Sequence, residues 1–216
     1  MISSITFLVV LVCLIGLFHI LIFRNENLKK LDFSDDYRIK LIEQANNYFS
    51  SSAIDKSALY WLTKKSEKIQ NLVGRFGIMD YKPALQNEFY KNYHIIINTI
   101  PKFNLRTLHP DDITYVDNSI SRFIGSLEEK HDVYSKKMKN PISWFREGLI
   151  QLTSLPIYVL NWFGILQDSS VNKLLFNIVY RTTMGIVGLV AFLSGLVTII
   201  QGRKSLIDFI VDILKR

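Results

Sequence analysis

The sequence predicts an all-α membrane protein: an N-terminal transmembrane helix, an antiparallel helical bundle, a C-terminal transmembrane hairpin and an amphipathic tail helix. Three observations predict it. Residues 5–23 form an uncharged apolar run, and residues 141–200 hold a second region nearly as apolar. Between them, a charged stretch repeats its apolar residues at three- and four-residue steps, the period of a helix with one buried face. At 216 residues and 49% hydrophobic, the chain is more apolar than an average soluble domain. The expected divisions are an anchor at 1–24, a cytoplasmic bundle at 25–140, a C-terminal membrane region at 141–202 and a tail at 203–216.

The anchor contains 19 residues, 15 of them Leu, Ile, Val or Phe. At roughly −0.3 to −0.6 kcal/mol per such residue, insertion is favoured by about 5 to 9 kcal/mol. A helix of that length rises about 28 Å, enough for a bilayer core. No basic segment precedes the run and no small-residue cleavage site follows it, which argues against a signal peptide. Arg24, Lys29 and Lys30 follow it, so the positive-inside rule places the N-terminus outside and the middle of the chain in the cytoplasm. His19 reads as an interfacial side chain, with no intramembrane partner apparent in the sequence. Cys13 is the single cysteine, which excludes an internal disulfide and a CxxC metal site.

The middle is expected to be a bundle of three to four antiparallel helices. Tyr37, Leu41, Ala45 and Tyr48 share one face of a helix ending near Ser50, Ser51 and Ser52. Ile54, Ala58, Leu62, Ile69 and Val73 suggest another, ending near Gly74 and Gly77. Leu85, Phe89, Tyr93, Ile96, Ile97 and Ile100 suggest a third, opened by Pro83 and closed by Pro101. The clearest has Ile113, Val116, Ile120, Phe123, Ile124, Leu127, Tyr134 and Met138 on one side. Pro110, Asp111 and Asp112 start it, because proline suits a first turn and acids there complement the helix dipole. Tyr60, Trp61, Phe89, Tyr90 and Tyr93, at helical spacing, are expected in the core. Lys102, Arg106 and His109 read as a solvated basic loop, and His94 and His131 as ordinary histidines without ligand spacing. No strand period is expected over a useful length.

Residues 24–140 carry 19 Lys/Arg against 15 Asp/Glu, a dispersed excess that suits anionic headgroups and not a nucleic-acid stripe. Within them, Lys64-Lys65-Ser66-Glu67-Lys68-Ile69-Gln70-Asn71-Leu72-Val73 and Val133-Tyr134-Ser135-Lys136-Lys137-Met138-Lys139-Asn140-Pro141 follow a single N-terminal anchor. This arrangement, over roughly residues 1–145, resembles the LemA family. The family's bundle has a basic-then-Asn-Leu-Val stretch early and a Val-x-x-Tyr-Asn-type helix running into proline late; Ser135 stands here where the family has Asn, and no proline precedes Asn71-Leu72-Val73. The resemblance implies a membrane-anchored bundle without established enzymatic activity, and it supplies no functional residues.

After Pro141, Trp144, Phe145, Arg146 and Glu147 make a headgroup-type patch. Residues 148–166 are uncharged but contain Gln151, Thr153, Ser154, Pro156 and Asn161. They read either as a kinked span or as an interfacial segment, leaving two spans or one in 141–202. Residues 182–200 form a firmer span, with Arg181 before it and Arg203 and Lys204 after it. Two spans keep those last cations in the cytoplasm, and this is why a hairpin is expected. Gly185, Gly188, Ala191 and Gly195 form a candidate helix-packing face. Gln151, Thr153, Ser154 and Asn161 are candidate pore-lining or interhelical polar groups. In the tail, Lys204, Asp208, Asp212 and Lys215 form a polar stripe opposite an apolar face.

The chain contains no Gly-rich phosphate loop, HExxH or GxSxG, and Arg106 and His109 are too close for an Arg-x(4–6)-His nuclease signature. No catalytic residue, cofactor or metal site is therefore expected. The expected function is a non-enzymatic, LemA-like membrane scaffold or partner-binding protein of a bacterial inner membrane. Its partners would be the bilayer and either itself or another membrane protein, without nucleic acid. The alternative is an oligomerising effector that forms a pore through its C-terminal spans.

Overall fold

The computed structural model describes residues 2–51, 54–82, 88–167, 170–171, 177, 182–183, 185–188, 190–195 and 197–198. The chain is mostly helical. Its helices are α1 (Ile2–Ser51), α2 (Lys56–Val73), α3 (Ile95–Thr99), α4 (Lys102–Leu105), α5 (Pro110–Met138) and α6 (Pro141–Trp162). Strands β1 (Ile78–Tyr81) and β2 (Tyr90–His94) lie between α2 and α3. The chain divides into two compact units, Met1–Phe23 with Tyr134–Arg216, and Arg24–Val133.

In the Arg24–Val133 unit, three long helices supply most of the core. Tyr37 and Leu41 of α1, Leu59, Leu62, Ile69 and Val73 of α2, and Val116, Ile120 and Leu127 of α5 are all buried. Their directions follow from cross-links. Asn27 Nδ2 donates to the Leu127 carbonyl at 2.7 Å, and Arg38 forks onto both Asp117 oxygens at 2.6 and 3.3 Å, so α1 and α5 run antiparallel. The Tyr37 hydroxyl donates to the Leu62 carbonyl at 3.2 Å. The rings of Tyr37, Phe33 and Trp61 pack beside it at tilted angles, with centroids 5.7 to 6.4 Å apart.

Local chemistry sets the ends of α2. The Asp55 carboxylate accepts from the Ser57 and Ala58 N–H groups at 2.8 and 3.2 Å, a standard N-cap. Those bonds, led by the one from the Ser57 hydroxyl, hold Asp55 below the usual carboxylate range. At the other end Gly74 takes φ 55°, open to glycine at little cost, and its N–H returns to the Gln70 carbonyl.

Two sequence expectations fail here. The helix expected from Pro83 to Pro101 is a strand followed by one and a half turns of helix. Strand β2 pairs antiparallel with β1, with Ile78 opposite His94, Met79 opposite Tyr93 and Tyr81 opposite Tyr90. Tyr93 stacks on Tyr81 at 4.6 Å. The Gln70 amide replaces the helical bonds that would have continued upstream. Its Nε2 donates to the Gly77 carbonyl at 3.0 Å and its Oε1 accepts from the Ile96 N–H at 3.1 Å. The aromatic rings of Tyr90 and Tyr93 favour the strand. Consequently Ile95 joins Ile96 and Ile100 in the core, whereas Ile97 is half-buried and Phe89 is exposed; Leu85 lies outside the described residues. Of the aromatics expected inside, Trp61 and Tyr93 pack on the core, while Tyr60, Phe89 and Tyr90 are exposed.

The second failure concerns α1. A separate anchor and a later helix were expected, yet Ile2–Ser51 is one helix. No proline or glycine lies between Phe23 and Ser51, and Glu26, Leu28, Lys29, Lys30 and Leu31 are good helix formers.

In the other unit, Asn140 caps α6 by accepting from the Ile142 N–H at 3.0 Å, with Pro141 in the first turn. The Trp144 indole N–H is shared between the Lys137 and Met138 carbonyls, both at 3.1 Å. Both carbonyls lie in the last turn of α5, where carbonyls lack partners within the helix, and the Lys137 oxygen also accepts the Asn140 N–H at 3.2 Å. Among the described residues, only α1 is long and apolar enough to cross a membrane. The described residues within 185–195 are helical, and the tail at 203–216 lies outside the described residues.

Candidate functional site: a glycine contact and a polar cluster between α1 and α6

Helices α1 and α6 meet backbone to backbone. A Cβ at Gly16 would fall on the carbonyl oxygen of Trp144 and lie 2.6 Å from the Gly148 nitrogen. A Cβ at Gly148 would fall on the carbonyl oxygen of Val12. Only glycine at both positions allows this approach, and close approach is what drives helix association where lipid removes the hydrophobic force.

Three residues after each glycine stands a polar side chain, His19 on α1 and Gln151 on α6. Gln151 Nε2 lies 2.9 Å from His19 Nε2. The amide donates, so His19 Nε2 is the acceptor and Nδ1 carries the proton. Nδ1 faces Glu147 Oε2 at 4.0 Å. Glu147, 9% exposed, also takes Lys137 Nζ at 2.8 Å and Arg146 at 3.5 Å. A buried carboxylate needs such partners, because desolvation costs several kcal/mol per ion. His19 also packs against Phe23 at 4.5 Å, and Phe23 against Tyr134 at 6.5 Å. The expectation that His19 lacks a partner is thus overturned, since its partners come from a helix more than a hundred residues away.

The four candidate polar residues all find acceptors or donors within the chain. Gln151 pairs with His19, and Ser154, buried, donates to the Ile150 carbonyl at 2.7 Å. Thr153 donates to the Leu149 and Ile150 carbonyls at 2.9 and 3.0 Å, and Asn161 to the Leu166 carbonyl at 2.9 Å. Of the candidate packing face, Gly188 is buried and a Cβ there would fall on the Thr153 methyl. A Cβ at Gly185 or Gly195 would meet nothing within 4 Å among the described residues, and Ala191 is exposed. Phe145 meets Phe192 edge-on at 5.4 Å.

Sequence reasoning missed Gly16, Gly148 and the Lys137–Glu147 pair. The available signal was the repeated spacing, Gly-x-x-His on one apolar helix and Gly-x-x-Gln on the other.

The Arg24–Val133 unit has a polar cluster of its own. Lys102, expected in a solvated loop, turns inward and donates to Asp112 Oδ1 at 2.9 Å and the Tyr81 hydroxyl at 3.0 Å. Tyr81 also donates to Asp112. The second Asp112 oxygen accepts the His109 N–H at 3.1 Å, so this residue does start α5, and it carries a part-buried ion pair as well. Burial, and then the Asp112 carboxylate, push the Tyr81 hydroxyl well above its ordinary pKa. That shift keeps the phenol protonated, the opposite of an activated base. Arg106 sits in the left-handed region at φ 55°, just after α4.

Among the described residues no three His, Cys, Asp or Glu side chains are placed to hold a metal. Both clusters link separate elements of the chain. No protein family, curated protein or solved structure matches this chain.

Proposed function

We propose that this chain is a non-enzymatic, membrane-anchored helical scaffold that holds the Arg24–Val133 unit at a bilayer and presents it to a partner. One observation carries the reading, the two-sided character of the apolar end of α1. Phe7, Leu14 and Phe18 are 69%, 56% and 66% exposed, while Val12, Gly16 and Ile20 are buried. In water each such exposed side chain forgoes about 1.5 to 3 kcal/mol, whereas lipid solvates it without loss. The cations after the run, Arg24, Lys29 and Lys30, support a cytoplasmic middle in a bacterial inner membrane. The resemblance to the LemA family supports the same class of function.

In this reading α6 and the 182–200 segment form the transmembrane hairpin, joined through Gly188 on Thr153 and Phe192 on Phe145. The open sides of Gly185 and Gly195 are then available for self-association or for another membrane protein. Alkaline carbonate washing of membranes from expressing cells tests the anchor, with the protein expected to stay in the pellet. A single cysteine placed within 168–172, in a chain lacking Cys13, is expected to react with an impermeant reagent from outside. Reconstituted vesicles are expected to retain entrapped dye, and leakage would move the conclusion to an oligomerising pore former.

A further inference from the structure

Four side chains among the described residues hold polar atoms that are sealed from solvent and lack a partner: Arg24 Nε, His131 Nδ1, both ends of the Gln44 amide and Thr99 Oγ1. Gln44 and Thr99 are buried outright, whereas Arg24 and His131 are half-buried and so remain open to a ligand from outside. The register of the antiparallel α1–α5 contact sets this second pair level with each other. Asn27 of α1 donates to the Leu127 carbonyl of α5. Arg24 is three residues before Asn27 and His131 four after Leu127, the spacings that share a helix face. Measured from the Arg38–Asp117 ion pair, both lie fourteen residues away, about 21 Å along the same contact. At one end of this line the arginine has a carboxylate opposite it. At the other it has an imidazole.

No ion pair among the described residues engages Arg24, and the acids beside it in this register, Glu26, Glu128, Glu129 and Asp132, are all exposed. An exposed cation without a protein partner is hydrated. A guanidinium nitrogen shut off from water is not, and among the described lysines and arginines Arg24 alone has one. We propose that Arg24 and His131 together bind a phosphate oxyanion between α1 and α5, with a lipid headgroup as its source. Arginine suits this ligand, because its Nε–H and an Nη–H lie parallel and fork onto two phosphate oxygens. His131 Nδ1, carrying the ring proton, donates to one of the same oxygens. Arg24 is also the first charge after the apolar run at 5–23 of the same helix, the depth at which the anchored-scaffold reading puts lipid phosphates. The choice of source rests on that reading; the two unpartnered nitrogens do not.

The test uses the full chain in a lipid-free, phosphate-free maltoside detergent. The probes are phosphatidylglycerol, diacylglycerol and a fatty acid with the same acyl chains, and inorganic phosphate. Each is titrated against the thermal midpoint, and bound lipid is counted by mass spectrometry of the intact complex. Arg24→Gln and His131→Phe are compared with Lys30→Gln, which removes the same charge as R24Q from an exposed position on α1. Unchanged helix content shows that each variant folds, and Arg24→Lys, which keeps the charge and loses the fork, serves if R24Q does not. Phosphatidylglycerol affinity is expected to fall at least about tenfold in R24Q and in H131F, the effect of one hydrogen bond to a charged group, and less than about threefold in K30Q. Stabilisation by phosphatidylglycerol alone supports the headgroup as ligand, and Arg24-dependent stabilisation by inorganic phosphate supports the same site with the free ion in it. Equal losses in R24Q and K30Q, diacylglycerol or fatty acid binding as tightly as phosphatidylglycerol, or no response to either phosphate overturns the proposal. A chain that survives carbonate washing yet fails this test keeps its anchor and loses the phosphate site. One that washes off yet gains Arg24-dependent stability from inorganic phosphate keeps the site and loses the anchor.

Discussion

The Lys102–Asp112 pair shows how much one residue can carry in this molecule. Asp112 is 2% exposed and satisfies Lys102, Tyr81 and the His109 N–H together. Asp112→Asn removes the charge and leaves the half-buried Lys102 unmatched. The expected loss is about 3 to 5 kcal/mol, read from denaturant unfolding of the full chain in detergent. Tyr81→Phe, which keeps the ring stacked on Tyr93, is expected to cost only about 1 kcal/mol. The tyrosines also set an alkaline limit. Tyr37, by burial, and Tyr81, by burial and Asp112, have hydroxyls held above their ordinary pKa in the folded state. Stability from this source is complete below the unfolded value of about 10 and is lost as pH rises through the folded values. Tyrosinate absorbance should therefore show fewer than the chain's ten tyrosines ionised at pH 11, with the remainder appearing only on unfolding. Full titration in the folded state would contradict the burial of both hydroxyls.

At the scale of elements, two glycines with opposite surroundings make a paired prediction. Gly148 has the Val12 backbone where a side chain would go, whereas Gly125, inside α5, has nothing within 4 Å among the described residues. Gly148→Leu should separate α6 from α1 and lower the thermal midpoint in detergent sharply, since neither backbone can yield. Gly125→Ala should raise stability by about 0.5 to 1 kcal/mol, because alanine loses less backbone freedom in a helix. A neutral Gly148→Leu would show that the glycine contact does not hold the two helices. The β1–β2 ribbon belongs to this scale too. Its residues have the apolar spacing of a helix, and a buried amide, Gln70, decides against one by taking the Gly77 carbonyl and the Ile96 N–H.

Across the whole molecule, the chain consists of two units with different surfaces. The Arg24–Val133 unit buries its apolar faces against each other, while the unit containing residues 1–23 leaves Phe7, Leu14 and Phe18 outward. Large outward side chains combined with an inward glycine contact are the arrangement expected of helices in lipid. The polar cluster of His19, Gln151, Glu147 and Lys137 adds specific side-chain pairing to that contact, because each partly buried polar group needs a partner.

What the sequence determined by itself was periodic or compositional. Residues 5–23 are apolar without interruption, so a helix long and apolar enough to cross a membrane follows from composition alone. The faces of α2 and α5 repeat at helical steps, so Ile69, Val73, Val116, Ile120 and Leu127 were legible as core, as were the helix ends at Asp111–Asp112 and Gly74. The tertiary structure decided whatever depends on a partner distant in sequence. His19 has no partner within its own run and gains Gln151 and Glu147 only when α6 folds against α1. Lys102 looks like a loop cation until Asp112 and Tyr81 enclose it, and residues 90–94 look helical until β1 offers an edge. Local sequence encodes the cost of leaving a group in water or taking it out. Which group meets it there is settled by packing between segments whose separation along the chain carries no information about their contact.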